Sequence, residues 1–238
     1  MAILRLREAL QDALDYANNR SSFDRGERRD YALSRLDLEA LEPVVKGELP
    51  LVLTVDRASD IEAALRLARE YKLKLIIAGG REAWMVAGQL AAAKVPVLLD
   101  PLANLPESFE ALGSTLESAA RLQKAGVTVA FMTDDAHDVR NIKQSAGNAV
   151  SYGMSWEAAL AALTIVPARI WGIADHYGSL EPGKDADVVV WDGDPLELTS
   201  SPEHVFIRGT EMPQDTRQLR LRDRYKELSR EVPPAYRD

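Results

Sequence analysis

The chain has 238 residues, with 29 basic and 37 acidic side chains for a net charge of −8, and a sequence pI of about 5.1. That length supplies a sizeable buried core, and the acidic balance without a basic stripe argues against a nucleic-acid or anionic-membrane partner. The absence of cysteine excludes disulfides, thiolate metal sites and cysteine nucleophiles. No apolar run reaches the roughly 18 residues of a membrane helix. The start, MAILRLREAL, reads as an amphipathic helix rather than a secretory signal, so a cytoplasmic location is expected if that start is genuine. Histidine occurs only at His137, His176 and His204.

In chain order, Ile3, Leu4, Leu6, Leu10, Leu14 and Tyr16 predict a helix over 2–18. The polar stretch 18–30 predicts a loop, and a second helix is expected from an Asp37 cap to Lys46, ending at Gly47. From Pro50 a βα unit repeats. Strands are expected at 51–55, 73–78, 95–99 and 127–132, separated by helices over 59–71 (capped by Ser59 or Asp60), 82–94 and 114–125. Near-continuous apolar strands alternating with helices imply parallel strands covered by helices, either an open doubly wound sheet or part of a (β/α)₈ barrel. Helices then follow over 139–151, 156–163 and 167–172, strands over 186–191 and 205–208, and a charged helix over 218–229. The expected organisation is a helical lead-in at 1–48, a βα repeat at 49–175, a β-rich segment at 176–212 and a helix with tail at 213–238.

Two runs in the second half carry a resemblance. Ala159-Leu160 through Thr164, Pro167-Ala168 and Gly172 read A-L-x-x-x-T-x-x-P-A-x-x-x-G, and residues 178–190 read G-S-L-E-P-G-K-D-A-D-V-V-V. In that order the chain resembles the amidohydrolase superfamily, in its imidazolonepropionase-like and dipeptidase-like branch. The resemblance implies an α/β fold in which the four βα units are strands five to eight of a (β/α)₈ barrel. The later strands then belong to a small β-sandwich, and strands one to four have no counterpart in this sequence.

The implied chemistry is hydrolysis of a carbon–nitrogen bond in an amide, cyclic amide or peptide. Zinc or a similar divalent metal would be held by a His-x-His on strand one, histidines on strands five and six and an Asp on strand eight. Here strand five ends on Thr54, strand six on Gly79-Gly80, and no His-x-His occurs. Asp134, after the fourth strand, matches the strand-eight Asp and is the candidate catalytic residue. One carboxylate cannot hold zinc, which needs about three protein ligands in an open catalytic site. No bound cofactor is therefore expected, and the isolated chain should be inactive by the metal route. The other reading is a metal-free binding or interaction protein that keeps the fold.

Asp56, Arg57 and Arg81 follow strands on the rim where barrels bind substrate, and with His137 they are the candidate substrate-binding residues. Each also has a plainer reading: charges at helix starts for the first three, and for His137 a solvated acidic loop in which Asp138 caps a helix starting at Val139. Lys184, Asp185 and Asp187 are read as turn and strand-start residues after Pro182-Gly183. A Ser/His/Asp triad lacks its Gly-x-Ser-x-Gly elbow, and Gly79-Gly80 is too short for a phosphate loop. Four strands leave two open edges and an apolar inner face. The expected partner is therefore a second copy of the chain, or else a missing N-terminal half, beside a small-molecule substrate. The alternative cover for that face is the chain's own N-terminal helix.

Overall fold

The structure, a computed structural model, describes residues 2–103, 106, 108–133 and 135–226. The chain opens with α1 (Ala2–Asp24) and α2 (Arg35–Val45). Leu10, Ala13 and Tyr16 of α1 and Leu38 and Val45 of α2 form a small core with Leu67 of the following helix. The polar stretch expected as a loop from residue 18 is helical as far as Asp24, with one non-helical residue at Asn19 (φ −132°, ψ 30°). The Asn19 amide donates to the Asp15 carbonyl and carboxylate at 3.1 and 2.9 Å, stitching across that kink. Phe23 rewards the extra turn, lying edge-on to Tyr16 and stacked on Tyr31, each at 5.2 Å between centroids. Ser34, not Asp37, caps α2: its hydroxyl accepts from the Asp37 amide at 3.3 Å.

Four parallel strands follow, β1 (Leu51–Val55), β2 (Leu75–Gly79), β3 (Val97–Leu99) and β4 (Val129–Phe131), paired in the order β1-β2-β3-β4. Between them run α3 (Ala58–Tyr71), α4 (Ala87–Ala93) behind a 3₁₀ turn at Ala83–Val86, and α5 (Ser118–Lys124). After β4 come a 3₁₀ turn at Ala136–Asn141 and the helices α6 (Ile142–Ser151), α7 (Trp156–Leu163) and α8 (Ile165–Ile170). The last three strands begin two residues later than the apolar runs suggest. The amides of Leu73, Val95 and Val127 bond back to Ala68, Leu90 and Leu122 carbonyls at 2.9–3.0 Å. These apolar residues therefore close the preceding helices, as the residue after a left-handed helix end commonly does, before the strands start.

Alternation divides the sheet into two faces. Leu75, Ile77, Val97, Leu99, Val129 and Phe131 meet α3 to α7 in the main core, with Leu53 and Val55 packed at its margin. On the other face the register places Val52 beside Ile76, Thr54 beside Ala78, and Leu98 between Ala78 and Ala130. Ile76, Ala78 and Ala130 are buried there, whereas Val52 and Thr54 are exposed, so this face opens towards β1. The buried side chains of α1 pack on α2 and the outer side of α3. The N-terminal helix thus does not cover the open face, because its apolar stripe is used by α2 and α3.

A second sheet holds β5 (Val188–Trp191), β6 (Pro202–Ile207) and β7 (Thr210–Glu211), antiparallel in that order. β6 starts earlier than the apolar run at 205–208 suggests, and a two-residue β7 beyond that run pairs with its end, Phe206 opposite Glu211 and Ile207 opposite Thr210. The linking segment 192–200 is fastened to the half-barrel. Leu196 is buried in the main core, Lys143 Nζ donates to the Glu197 and Ser200 carbonyls at 2.7 and 2.8 Å, and Trp156 Nε1 donates to the Asp194 carboxylate at 2.9 Å. Gly147 makes this docking possible, since a Cβ there would overlap the Leu196 carbonyl oxygen. The final helix, α9 (Arg217–Tyr225), buries none of its residues.

Candidate functional site

Parallel pairing brings the carboxyl ends of β1 to β4 to one rim, where barrels of this architecture place their chemistry. β1 ends in Thr54 and Val55, and Asp56 follows. Its Oδ1 accepts from the Arg81 amide at 3.2 Å, while the Gly80 amide donates to the Val55 carbonyl and the Glu82 amide to the Asp56 carbonyl, both at 2.9 Å. Gly79 has φ +81°, and a Cβ built on it would lie 2.7 Å from Asp56 Oδ1. The carboxylate of Asp56 thus occupies the space a side chain at 79 would need. The structure brings Asp56 and the Arg81 backbone together, as their common place after neighbouring strands suggests.

Arg57 turns away from that pair. Its guanidinium lies 3.4 Å from the Phe109 carbonyl and 3.3 Å from Glu110 Oε1, fastening the loop after β3. Glu82, which the sequence marked only as a helix start, is buried at the centre of the same arrangement. One carboxylate oxygen accepts from the Ala58 amide, at the start of α3, and the other from the Gly113 amide, each at 3.0 Å. Neither Ser59 nor Asp60 caps α3, because Arg57 stands at the cap position without a side-chain bond and Glu82 supplies the acceptor from the next loop. Trp84 Nε1 donates to the Gly113 carbonyl at 2.9 Å, and the Arg121 guanidinium sits 4.2 Å over the Trp84 ring. Two carboxylates, Asp56 and Glu82, therefore lace three consecutive loops of the rim through backbone amides.

Asp134 lies outside the described residues. His137 is found on the 3₁₀ turn after β4, with Nε2 at 3.5 Å from Asp138 Oδ2 and a side chain 70 % exposed. Asp135, His137 and Asp138 each offer a ligand atom, all within 4.8 Å of one another. Asp138 does not cap a helix: it lies inside the turn, whose preceding residue, Asp135, makes no side-chain cap bond. This cluster is a local feature of an exposed turn rather than a set of donors converging from several strand ends. At the strand ends, β1 offers the Thr54 hydroxyl and β2 a glycine. The described ends of β1 and β2 do not fit the metal centre implied by the resemblance, which needs about three protein donors.

His176 and His204 stand away from the rim, with 4.0 Å to Asp185 and 2.6 Å to Glu211 respectively. Lys184 bonds Ser179 at 2.5 Å and the Asp187 carboxylate accepts from the Arg208 amide at 2.8 Å, the structural roles expected of that segment. A groove of about 900 Å³ lies where α7 and α8 meet β5, lined by Leu160, Pro167, Trp171, Tyr177, Val189 and Trp191. It is a largely apolar seam between the two sheets' layers, whose lining includes Arg140, from the turn after β4, and Ile142, at the start of α6.

A sequence model described as the amidohydrolase family matches residues 67–216. The chain belongs to the amidohydrolase family. An amidohydrolase, tasK, from Hapsidospora irregularis is 26 % identical over 201 residues, covering 82 % of this chain and 20 % of its own. An imidazolonepropionase from Aromatoleum aromaticum is 33 % identical over 199 residues, covering 81 % of this chain and 44 % of its own. The crystal structure of an amidohydrolase from Thermotoga maritima superposes with a TM-score of 0.79 at 34 % identity, over 88 % of this chain and 55 % of that one. The fold is therefore that of one half of an amidohydrolase barrel with its small antiparallel sheet. The chain spans less than half the length of these two curated relatives. Among the described residues no helix is long and apolar enough to cross a membrane.

Proposed function

We propose that this chain is the second half of an amidohydrolase-type hydrolase acting on carbon–nitrogen bonds, in an amide, cyclic amide or peptide, and that the chain alone does not hydrolyse them by the metal route. The observation that carries the second clause is the pair of donor-poor strand ends, Thr54 on β1 and Gly79 on β2. On this reading Asp56 and Arg81 offer polar contacts to a small molecule at the rim, and Arg57 acts through the loop it fastens. His137 stands at the outer margin, and Asp134 is the acid–base candidate. The open face beside β1 calls for further strands, supplied by a second copy or by a complementary half.

Elemental analysis of the purified chain, followed by hydrolysis assays on amides, cyclic amides and dipeptides with and without added zinc, tests the reading. Less than stoichiometric metal and no zinc-dependent turnover is the expected result; stoichiometric zinc with turnover overturns it. Light scattering addresses the partner: a dimer is expected, and a clean monomer at micromolar concentration removes the second copy. The position of the Asp56 carboxylate over Gly79 favours the second reading, a metal-free binding protein on the same fold.

A further inference from the structure

We infer that the rim between β1 and β2 has been rebuilt around Asp56 rather than merely stripped of donors, so that adding the other barrel strands does not restore a metal centre there. The inference rests on the reading of this chain as an amidohydrolase half-barrel and goes beyond it, because it concerns the completed barrel. Strands joined at the free edge of β1 bring their own side chains but cannot place donors at positions 54 and 79.

Three observations bear on whether those positions could take donors again. Gly79 adopts φ +81°, a conformation that favours glycine and strains any other residue. The space beyond its Cα is filled by Asp56 Oδ1, 2.7 Å from an ideal Cβ. That oxygen is itself held, accepting the Arg81 amide at 3.2 Å, while Glu82, one residue on, ties the same loop to α3 and to Gly113. A histidine at 79 must therefore displace the Asp56 carboxylate, release the Arg81 amide and force the backbone, all at once. The carboxylate has become the fastener between the loops after β1 and β2, and it is a positioning residue for that rim.

The test uses the full chain and zinc alone as probe. Zinc affinity is measured by competition with a chromophoric chelator in the wild type, in Thr54→His and in Thr54→His/Gly79→His, which with a neighbouring carboxylate offers the three donors a zinc site needs. The expected result is no gain for the double variant and a lowered melting temperature. A gain of about tenfold or more, the scale on which a functioning ligand environment acts, shows that the rim was only stripped and overturns the inference. Should the double variant fail to fold, Asp56→Ala decides. Hydrogen exchange at the Arg81 amide should quicken about 3- to 10-fold, the equivalent of one lost hydrogen bond, and an unchanged rate overturns the fastener role. Stoichiometric zinc on the wild type would instead contradict the proposed function itself, so the two failures are distinguishable.

Discussion

One side of α3 turns Ile61, Ala64, Leu65 and Ala68 to the half-barrel core, while Leu67 and Tyr71 turn the other side to α1 and α2. The two sides are held differently. The half-barrel core is built of apolar side chains from four strands and five helices. The small cluster beneath α1 and α2 holds six buried apolar residues among the described residues, Leu67 of α3 included, and the layer is stitched by charge: Arg29 to the buried Asp12, Arg28 to Asp15, and Arg20 and Arg35 to Glu39 at 2.6 and 3.1 Å. Apolar burial has no charge to titrate or to be screened by sodium chloride, whereas exposed ion pairs are screened and titrate. One helix thus joins a layer held largely by charge to a core held by apolar packing, with carboxylates at work in the half-barrel only at its rim.

The largest effect is expected in the half-barrel. Ile77→Ala removes a side chain of 0 % exposure from the middle of β2 and should cost about 2–5 kcal/mol by chemical denaturation. The loss should be the same at low and high salt. A cost below about 1 kcal/mol, the scale of an ordinary surface change, would mean that the sheet is not where stability resides. A smaller and more local effect is expected from Asp12→Ala. Asp12 accepts from Arg29 and from the Ala32 amide at 2.8 Å, so its loss leaves a part-buried amide without its acceptor, at about 1–3 kcal/mol. Amides of α1 and α2 should then exchange faster while those of β2 and α4 keep their protection, and uniform loss of protection would erase the distinction between the layers.

Acid should sharpen the same contrast with the smallest perturbation. The Tyr31 hydroxyl at 2.5 Å and the Arg28 guanidinium hold the Asp15 carboxyl below its ordinary range, and Arg35 with the Tyr16 hydroxyl does the same for Glu39. A carboxyl whose folded pKa is depressed contributes stability that is complete above its unfolded value. That contribution is lost as pH falls through the folded one. Below about pH 4, near the unfolded carboxyl values, the α1–α2 amides should therefore lose protection before those of the half-barrel. Simultaneous loss would show that the two layers open as one.

The four strands were legible because each is a short run of nearly unbroken apolar residues bounded by turn formers, a pattern that buried parallel strands produce. Their first residues were not, because Leu73, Val95 and Val127 are as apolar as a strand requires and yet close the helices before them. Asp56 and Arg81 could be placed on the rim from position alone, since each follows a strand end. The Glu82 fastener could not. Its partners, Ala58 and Gly113, stand 24 and 31 residues away, and a backbone amide leaves no mark in a sequence. The helical turn through Phe23 was hidden for a related reason: its polar residues signal a loop, and only the distant Tyr31 gives the ring a place to stack.

Gly147 lets α6 approach the Leu196 carbonyl so closely that no side chain fits between them, and Leu196 itself is buried in the half-barrel core. The segment that carries the second sheet is thereby keyed into the first. The link from α8 to β5 and the hairpin from β6 to β7 can be nicked by a protease without freeing the sheet, because the key lies between them and not in either loop. Detaching it means opening α6 and α7 as well, so the two sheets should melt in a single transition although they share no strand.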